Sequence, residues 1–512
     1  MRITSTGVSL SLLVVSAVWV AEVDRGDAQA PAAQPRFELV QPELFADPGG
    51  QPNSWADADA DGDLDLFVGF RGRPNRLYVN DNGRFRDVAS EVGLADDIDT
   101  RAAAWGDFDA DGDPDLYVGF ADGKTRARFY RNDEKGTRFT DVATAIGIEL
   151  AGVSRQPVWI DYDGDDDLDF FAAFRDKPNR LFRNTAGRFV DVSAESGIDD
   201  PRKTVGAVWW DFDQDGDLDV FVANQEGDAN GFFRNTGGRF TDVAGQLGVD
   251  ATGRPKDEGG VGPAVADYDL DGDLDLFVAN YGKSALYRND RGKAFTEVAS
   301  AVGIDVRTHV TTAAWGDYDA DGWVDLYLAG FLADQPHYRD WLFSNGSGKA
   351  GERHFTDVLP EVLRTHDATH GVQFVDFDRD GALDLSLTNN DAKGGHYLLR
   401  NADVGSARGF SVRVTDAQGH FTRAGAEVRA YTPGTRRLLA SGLVDSGSGY
   451  CAQSAGPVFL GVPPGTGRVD VEITLPAQGG RTTMTIGNLD STAFKATQVE
   501  ARVPVKPPTG KK

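Results

Sequence analysis

The chain has 512 residues, of which 40% are hydrophobic, so it is long enough to form more than one packed core. Its formal net charge of −28 argues against nucleic acid or an anionic membrane surface as a partner, because like charges would repel. Cys451 is the only cysteine, which excludes an internal disulfide; bound metal is the obvious alternative source of stability.

The N-terminus has the pattern of an export signal. Arg2 precedes the apolar run "VSLSLLVVSAVWVA", which ends at Ala21, and small residues follow at Ala28 and Ala30. Such a run is short for a membrane span and is typical of a cleaved signal peptide. We therefore predict a signal peptide over residues 1–30 and a secreted or periplasmic mature protein without membrane insertion. An uncleaved anchor is the alternative.

Seven aspartate-rich stretches follow, with starts 50 to 59 residues apart. The first, "DADADGDLDLFV", begins at Asp57. Apolar pieces such as "AAAWGD" precede these stretches, and runs such as "LDLFVGF" follow them, which predicts strand, loop, strand. An aromatic-Arg-Asn element such as "FYRND" and a piece such as "GRFTDVA" predict two further strands. Four short strands in each repeat of this length are typical of a β-propeller blade.

The ends of the array predict how it closes. The seventh repeat reaches its third strand at Tyr397 to Asn401 and has no fourth. The missing pattern stands before the first loop, so Phe37 to Val40 is predicted to complete the seventh blade and to remove a free sheet edge. The predicted fold is all-β: a seven-bladed propeller over residues 36–402 and a small β-sandwich-like domain over 409–505. A disordered tail is predicted over residues 506–512.

Each aspartate loop offers the oxygen ligands that Ca²⁺ prefers. Positions 1, 3, 5 and 9 supply carboxylates, position 7 a backbone carbonyl, and a glycine at position 6 permits a positive φ. Asp166 replaces that glycine in the third loop, and aspartate tolerates the same backbone region. Position 12 lies in a strand, which excludes an EF-hand. Mg²⁺ is disfavoured by its strict geometry, and Zn²⁺ by the ligand types. Solvated acidic turns are the alternative.

We expect about seven structural Ca²⁺ ions, each holding the turn of one blade, because a site closed by protein oxygens does no chemistry. The predicted ligands are Asp57, Asp59, Asp61, Asp63 and Asp65; Asp107, Asp109, Asp111, Asp113 and Asp115; Asp161, Asp163, Asp165, Asp167 and Asp169; Asp211, Asp213, Asp215, Asp217 and Asp219; Asp267, Asp269, Asp271, Asp273 and Asp275; Asp317, Asp319, Asp321, Trp323 and Asp325; and Asp376, Asp378, Asp380, Ala382 and Asp384.

The repeated D-x-D-x-D-G-x-x-D-L loops, flanked by "VWWDFD" and "FVAN", resemble FG-GAP/VCBS repeats of the integrin-α-type propeller. The C-terminal "SGSGY" (Ser446 to Tyr450) and "RVDVEITLP" (Arg468 to Pro476) resemble the ASPIC/UnbV domain. The pairing is similar to the cartilage acidic protein 1 family and covers nearly the whole mature chain. A Cys-rich EGF-like segment, which some members carry, is missing here. The resemblance implies an exported Ca²⁺-binding protein used in adhesion or interaction, and implies no reaction.

Residues that flank the first two strands of each blade should gather at the propeller face opposite the loops. Those before a first strand are Arg101, Arg155, Lys203, Asp257, Glu258, His309, His366 and His370. Those after a second strand are Arg71, Arg175, Gln225, Tyr281, Phe331, Asn390 and Asp391. This concentration predicts a polar pocket for an anionic or sugar-like ligand. A sharper hypothesis makes the three histidines a second metal site or an acid–base pair. Solvated loop residues are the alternative.

Three functions remain open on the sequence. The preferred one is an exported, monomeric, Ca²⁺-binding module for an unidentified protein or glycan. The second is an exported lyase or hydratase acting on sugars, with His309, His366, His370, Arg101 and Tyr281 as weak catalytic candidates. Nothing in the sequence fixes a nucleophile for it. The third is a structural surface-layer or biofilm component.

Overall fold

The structure is a computed structural model, and several segments of the chain lie outside its description. It describes residues 35–331, 339–348, 352–364, 369–390, 395–402, 409–421, 423–477, 480–490 and 498–503. The predicted signal peptide and tail, together with His366 and Asp391, fall outside these residues. In the described part of the chain, no helix has the length and hydrophobicity that a membrane span requires.

The described residues begin with a short strand, after which the first six aspartate repeats form four strands each and the seventh forms three. The N-terminal strand is β1 (Phe37–Leu39). The first three blades contain β2 (Gly50–Ala56), β3 (Asp65–Phe70), β4 (Arg76–Asp81), β5 (Arg84–Asp87), β6 (Thr100–Gly106), β7 (Asp115–Phe120), β8 (Arg128–Asn132), β9 (Phe139–Asp141), β10 (Ser154–Ile160), β11 (Asp169–Phe174), β12 (Arg180–Thr185) and β13 (Arg188–Asp191). Within each blade the strands pair antiparallel in chain order, as in β2-β3-β4-β5.

The remaining blades repeat this order. They contain β14 (Thr204–Trp210), β15 (Asp219–Asn224), β16 (Gly231–Asn235), β17 (Phe240–Asp242), β18 (Gly259–Ala266), β19 (Asp275–Lys283), β20 (Ala285–Asn289), β21 (Phe295–Glu297), β22 (Arg307–Gly316), β23 (Asp325–Gly330), β24 (Trp341–Ser347), β25 (Arg353–Asp357), β26 (Thr369–Val375), β27 (Asp384–Asn389) and β28 (Tyr397–Asn401). Blades five and six are joined, because β19 runs past its own blade and pairs with β22.

The first strand of each blade lies innermost and lines the central channel. Neighbouring innermost strands contact one another in order, and β26 contacts β2, so the ring of blades closes. These strands are largely buried on both faces, as in β14, and several of them carry buried polar side chains, such as Gln51 and Asn53 in β2. The tryptophans at their ends pack between blades: the Trp159 indole N–H donates to the carbonyl of Ala104, at 3.3 Å.

Closure of the seventh blade confirms the sequence prediction. Strand β1 pairs antiparallel with β28, with Phe37 opposite Asn401 and Leu39 opposite Leu399. The Phe37 side chain is buried in the core that blades six and seven share. The N-terminal strand therefore supplies the fourth strand of the last blade and covers its outer edge.

A short helix follows the last strand in five of the repeats. The helices are α1 (Ala89–Val92), α2 (Ala143–Ile146), α3 (Ser193–Ser196), α4 (Ala244–Leu247) and α5 (Glu361–Arg364). The first four end at a glycine with positive φ, such as Gly93 at 91°. Their apolar positions are buried against the blades, so these turns extend the blade core outward.

The C-terminal residues form two sheets around a second apolar core. One sheet has the order β33-β29-β36 and the other β31-β30-β34-β35. Their strands, with one further short strand, are β29 (Phe410–Thr415), β30 (Glu427–Tyr431), β31 (Leu438–Leu443), β32 (Ala452–Gln453), β33 (Val458–Leu460), β34 (Arg468–Ala477), β35 (Gly480–Asp490) and β36 (Gln498–Arg502). Val412, Val428 and Ile473 lie at the centre of this core, fully buried.

Residues 446–455, here called the finger, leave these sheets and enter the propeller channel. Strand β32 pairs parallel with β6, and Ala455 bridges to Ala56. The Gln453 amide donates to the carbonyl of Trp159, and its oxygen accepts from the Trp159 N–H. At the tip, the Tyr450 ring lies 4.6 Å from that of His370. The finger therefore spans the channel from the loop face to the opposite face.

Candidate functional site

The seven aspartate loops share one backbone path. Position 6 has a positive φ in each loop, as predicted, including 97° at Gly62 and 75° at Asp166. Position 4 also has a positive φ, although it is a non-glycine residue in six of the loops, such as Ala60 at 59°. Two left-handed residues so close together wrap the chain into a tight loop. The wrapping brings the carboxylates of positions 1 and 3 together, joined by position 5 or position 9 in the five loops described below.

Backbone N–H groups hold two of these carboxylates in every loop. The N–H of position 6 donates to the carboxylate of position 1 at 2.8 to 3.2 Å. The N–H of position 7 donates to that of position 5 at 2.8 to 3.1 Å. Where position 7 is aspartate, its side chain can point away from the centre of the loop. The Asp63 carboxylate, for example, accepts a hydrogen bond from the N–H of Asn82 at 2.8 Å. This leaves its carbonyl as the group available to a metal.

The carboxylates of several loops converge closely enough to hold a metal ion. In the first loop Asp57, Asp59 and Asp61 each place an oxygen within 4.8 Å of the others, and the fifth loop does the same. In loops two, three and four the converging positions are 1, 3 and 9. Three of the five predicted ligand positions thus lie close together in each of these five loops.

The carboxylate at position 3 fits a cation-binding role most clearly. One oxygen of this carboxylate is buried and accepts no hydrogen bond in five loops, at Asp109, Asp163, Asp213, Asp269 and Asp378. A buried carboxylate oxygen without a donor is costly. In each of these five loops, a cation bound at the loop would provide the unpartnered oxygen with a favourable interaction.

Burial raises the pKa values of several loop carboxylates. The pKa is raised to about 7 at Asp107, Asp161 and Asp376, by burial first and then by the charges of neighbouring aspartates. Burial also raises the pKa of Asp65 to about 8. These are the shifts expected where like charges are packed together without a counter-charge.

Position 9 is tied to the third strand of its own blade. Both oxygens of Asp65 accept backbone hydrogen bonds, from Ala58 at 2.9 Å and from Asn80 at 2.8 Å. The bond from the third-strand asparagine recurs in all seven blades, at 2.7 to 2.9 Å. Position 9 therefore connects each loop to its sheet, in addition to any role as a metal ligand.

The same asparagines link neighbouring blades into a closed ring. Each side-chain amide donates to the carbonyl of loop position 8 in its own blade and to that of loop position 2 in the preceding blade. The bonds between blades measure 2.8 to 3.0 Å. The asparagines are Asn80, Asn132, Asn184, Asn235, Asn289, Asn345 and Asn401. The sequence showed the repeated Asn, but we attached no role to it.

The C-terminal sheets contact the loop face of the propeller. Arg423 pairs with Asp166 of the third loop at 2.5 Å, and Arg481 with Asp211 of the fourth at 3.0 Å. Arg413 lies 3.4 Å from Asp57 of the first loop. The Arg429 guanidinium donates to the carbonyl of Gly272 in the fifth. This face is therefore largely covered by the chain itself.

A cavity remains in the part of the channel that the finger does not fill. Its volume is about 210 Å³. Trp55, Ala264, Trp315 and Gln373 line it from the propeller, and Ser448 lines it from the finger. It lies towards the loop face, away from the predicted pocket.

Several predicted residues do meet at the opposite face. The rings of Tyr281 and His309 stack at 4.3 Å, and burial lowers the pKa of His309. The Phe331 ring meets His370 edge-on at 4.9 Å. The Arg101 guanidinium donates to the Tyr450 hydroxyl at 3.4 Å. Tyr450, at the tip of the finger, also belongs to this group of residues. It lies outside the repeats, so the repeat pattern could not predict it.

The rim of this face consists largely of paired side chains. Glu226 accepts from Arg175 at 2.9 Å and from Lys203 at 2.5 Å, and Arg307 pairs with Glu258 at 3.2 Å. Three other residues that were predicted to lie at this face form contacts with nearby side chains or backbone groups. Arg71 lies 3.8 Å from Asp99, the Gln225 N–H donates to the Lys203 carbonyl, and Asn390 accepts from Gln51 at 2.6 Å. Asp257 is an exposed rim residue near His309.

Comparison with known proteins supports the repeat assignment. The family model described as FG-GAP-like repeat matches residues 57–118, 161–222, 211–278 and 267–328. Cartilage acidic protein 1 of Xenopus tropicalis is 27% identical over 242 residues, which is 45% of this chain and 35% of that protein. The Homo sapiens protein of the same name is 29% identical over 266 residues, 49% of this chain and 38% of that protein.

The matched region spans little more than a third of the length of these relatives. Among solved structures, the BBS1N chain crystallised with ARL6DN and soaked with mercury is 10% identical. It covers 73% of this chain and 98% of that chain, with a TM-score of 0.45, which is too low to support a comparison of folds. The chain contains FG-GAP-like repeats and is similar to cartilage acidic protein 1 over about half of its length.

Proposed function

We propose that this protein is an extracellular β-propeller whose blades are stabilised by bound Ca²⁺. The protein acts as a binding or adhesion module. The observation that carries the metal assignment is the buried, unpartnered position 3 oxygen in five of the loops. All the candidate ligands are carboxylate or carbonyl oxygens, which suits Ca²⁺ and its tolerance of irregular geometry. Bound Ca²⁺ would supply positive charge to these buried carboxylates, of which only Asp213 and Asp378 pair with an arginine among the described residues.

The coverage of the loop face directs the search for a ligand. Arg413, Arg423 and Arg481 bring the C-terminal sheets onto the loops, so the opposite face is the accessible end of the channel. A partner protein or glycan is proposed to bind there. The lyase or hydratase alternative requires a free general base. Glu226 and Glu258 of this face are paired with cations, so the described candidates for that role are His309 and His370.

The test of the metal assignment is an ion count. We expect native mass spectrometry of the folded protein in Ca²⁺ to show about seven ions per chain, one for each aspartate loop. Asp163→Asn removes one charge from the third loop and is expected to lower the count by one. Asp97→Asn, which changes an exposed residue outside the loops, should leave the count unchanged.

Competition with Mg²⁺ tests whether the loops prefer Ca²⁺. A tenfold excess of Mg²⁺ should displace few of the ions, because Mg²⁺ keeps its water ligands and demands octahedral geometry. A count near zero in saturating Ca²⁺, or an unchanged count in Asp163→Asn, would reject the assignment.

A further inference from the structure

We propose that Arg101 and Arg155, with the hydroxyl of Tyr450, form a binding site for an oxyanion at the end of the channel opposite the aspartate loops. The ligand class is a carboxylate, sulfate or phosphate group, free or carried by a larger molecule. The inference deepens the proposed binding function and rests on it, since it names the chemistry recognised at the same face.

Both arginines have guanidinium nitrogens without a partner. The Nε atoms of Arg101 and Arg155 are buried and form no hydrogen bond. Arg155 is 6% exposed, and its Nη1 donates to the carbonyl of Ser154. Arg101 donates to the side-chain oxygen of Gln51 and to Tyr450. Among the described residues, neither arginine forms an ion pair with a carboxylate.

The two arginines lack a carboxylate partner among the described residues, although the chain has a net charge of −28. Nearby arginines do have carboxylate partners: Arg175 pairs with Glu226 at 2.9 Å and Arg202 with Asp200 at 2.8 Å. The pKa of Arg155 is lowered, first by burial and further by the positive charges of Arg101 and Arg175. An unpaired buried cation beside other cations is strongly unfavourable unless an anion joins them.

The fold builds the site from three separate segments. Arg101 and Arg155 each occupy the second position of an innermost strand, β6 and β10, in adjacent blades. The finger brings Tyr450 to them from the C-terminal sheets. Gln51 accepts from Arg101 and donates to Asn390, which fixes the orientation of that guanidinium. Planar guanidinium groups match the geometry of oxyanions and can bind them through two hydrogen bonds.

Partly exposed aromatic side chains border the site among the described residues. Tyr281, His309 and Phe331 are each partly exposed, and their rings stand beside the buried floor formed by Arg155, His370 and Tyr450. An anionic group on the floor could therefore belong to a ligand whose remaining part lies against these rings.

The experiment measures the response of the Ca²⁺-loaded full chain to two oxyanions. Sodium sulfate and sodium glucuronate are titrated at constant ionic strength against sodium chloride, with glucose as the neutral control, and followed by melting temperature and calorimetry. We expect a saturable rise in melting temperature with at least one oxyanion and none with glucose. A response to glucuronate alone indicates a carboxylate ligand, and a response to sulfate indicates a sulfate or phosphate group. A wild-type response to neither overturns the proposal.

Two variants test the assigned residues. Arg155→Gln and Arg101→Gln are each expected to weaken oxyanion binding about tenfold or more, because each removes a charge-assisted contact. In chloride alone, Arg155→Gln should melt at the same or a higher temperature than the wild type, since an unpaired buried charge is removed. A purely structural arginine would give the opposite result. Arg180→Gln, at an arginine paired with Asp191, is the matched control and should bind as the wild type does.

The outcomes separate this inference from the metal assignment. The Ca²⁺ count is measured on the same samples. About seven ions with equal oxyanion binding in the wild type and both variants overturns the oxyanion site alone. A large loss of stability of Arg155→Gln in chloride also overturns it. If one variant fails to fold, the other variant and the wild-type comparison with glucose still decide the question.

Discussion

Removal of Ca²⁺ by a chelator is expected to lower the melting temperature by about 20 °C or more, or to abolish cooperative melting. One site held at a hundred times its Kd contributes about 2.7 kcal/mol, so seven sites contribute on the order of 20 kcal/mol. That exceeds the whole free energy of unfolding of an ordinary domain, which is about 5–15 kcal/mol. The measurement is scanning calorimetry of the same protein in Ca²⁺ and after exchange into chelator.

The pH dependence of the melting temperature of the chelated protein tests whether the buried carboxylates cause this loss of stability. Burial raises the pKa of Asp65 to about 8 and that of Asp107 to about 7, above the value of 3.8 for an exposed aspartate. The stability contributed by these protonated groups is fully present below pH 3.8 and is lost as the pH rises through 7 to 8. The chelated protein should therefore melt at a lower temperature at pH 8 than at pH 5.

With Ca²⁺ bound, the carboxylates are neutralised by the ion, and the trend should reverse because protons then compete with the metal. Equal melting curves with and without Ca²⁺ would show that the loops need no ion. A chelated protein whose melting temperature rises from pH 5 to pH 8 would show that the carboxylates are not buried in the way described.

The parts of the fold that could be predicted are those that repeat or alternate locally. The aspartate spacing gave the blade period, and the pattern at Phe37 predicted the closing strand, which pairs with β28 as expected. Gly62 and Asp166 were assigned positive φ values because few residues adopt that region, and both adopt it. Each of these inferences needs only residues within one repeat or the ends of the array.

The parts that could not be predicted depend on contacts between distant segments. "SGSGY" reads as a loop between strands, and nothing in it shows that Tyr450 reaches Arg101, 349 residues earlier. The short helices were also missed, since four residues before a glycine such as Gly93 give too little periodicity. Position 4 was missed because residues such as Ala60 rarely adopt a positive φ outside a strongly constrained loop.

The asparagine ring shows the same limit at the candidate metal sites. An asparagine after an aromatic-Arg pair could be assigned to a strand end, but the second carbonyl it contacts belongs to another blade. Asn235, for example, donates to Leu218 in its own blade and to Tyr162 in the preceding one. Such a pairing depends on how blades pack, which the sequence of one repeat does not encode. The ring mechanically connects each aspartate loop to the next.

Replacement of one ring asparagine is expected to destabilise the whole propeller. Asn235→Ala removes the 2.9 Å bond to Tyr162 and the 3.1 Å bond to Leu218, and leaves both buried carbonyls without this donor. It also removes the acceptor for the N–H of Gly238. At about 1 kcal/mol for each bond and more where a buried group stays unsatisfied, the expected loss is about 3–4 kcal/mol. Urea unfolding in saturating Ca²⁺ measures it.

Asn235→Asp distinguishes the role of the side-chain N–H donor of Asn235 from that of its side-chain oxygen acceptor. The aspartate keeps an oxygen for Gly238 but turns an acceptor towards the carbonyls of Tyr162 and Leu218, so it should lose at least as much stability as the alanine variant. Gln246→Ala, at an exposed position of α4 in the same blade, is the matched control and should change stability by less than about 0.5 kcal/mol. Because the loops of blades three and four are both positioned by Asn235, its loss should weaken two Ca²⁺ sites. A loss below about 1 kcal/mol, with Ca²⁺ affinity unchanged, would show that the blades are held together without the ring.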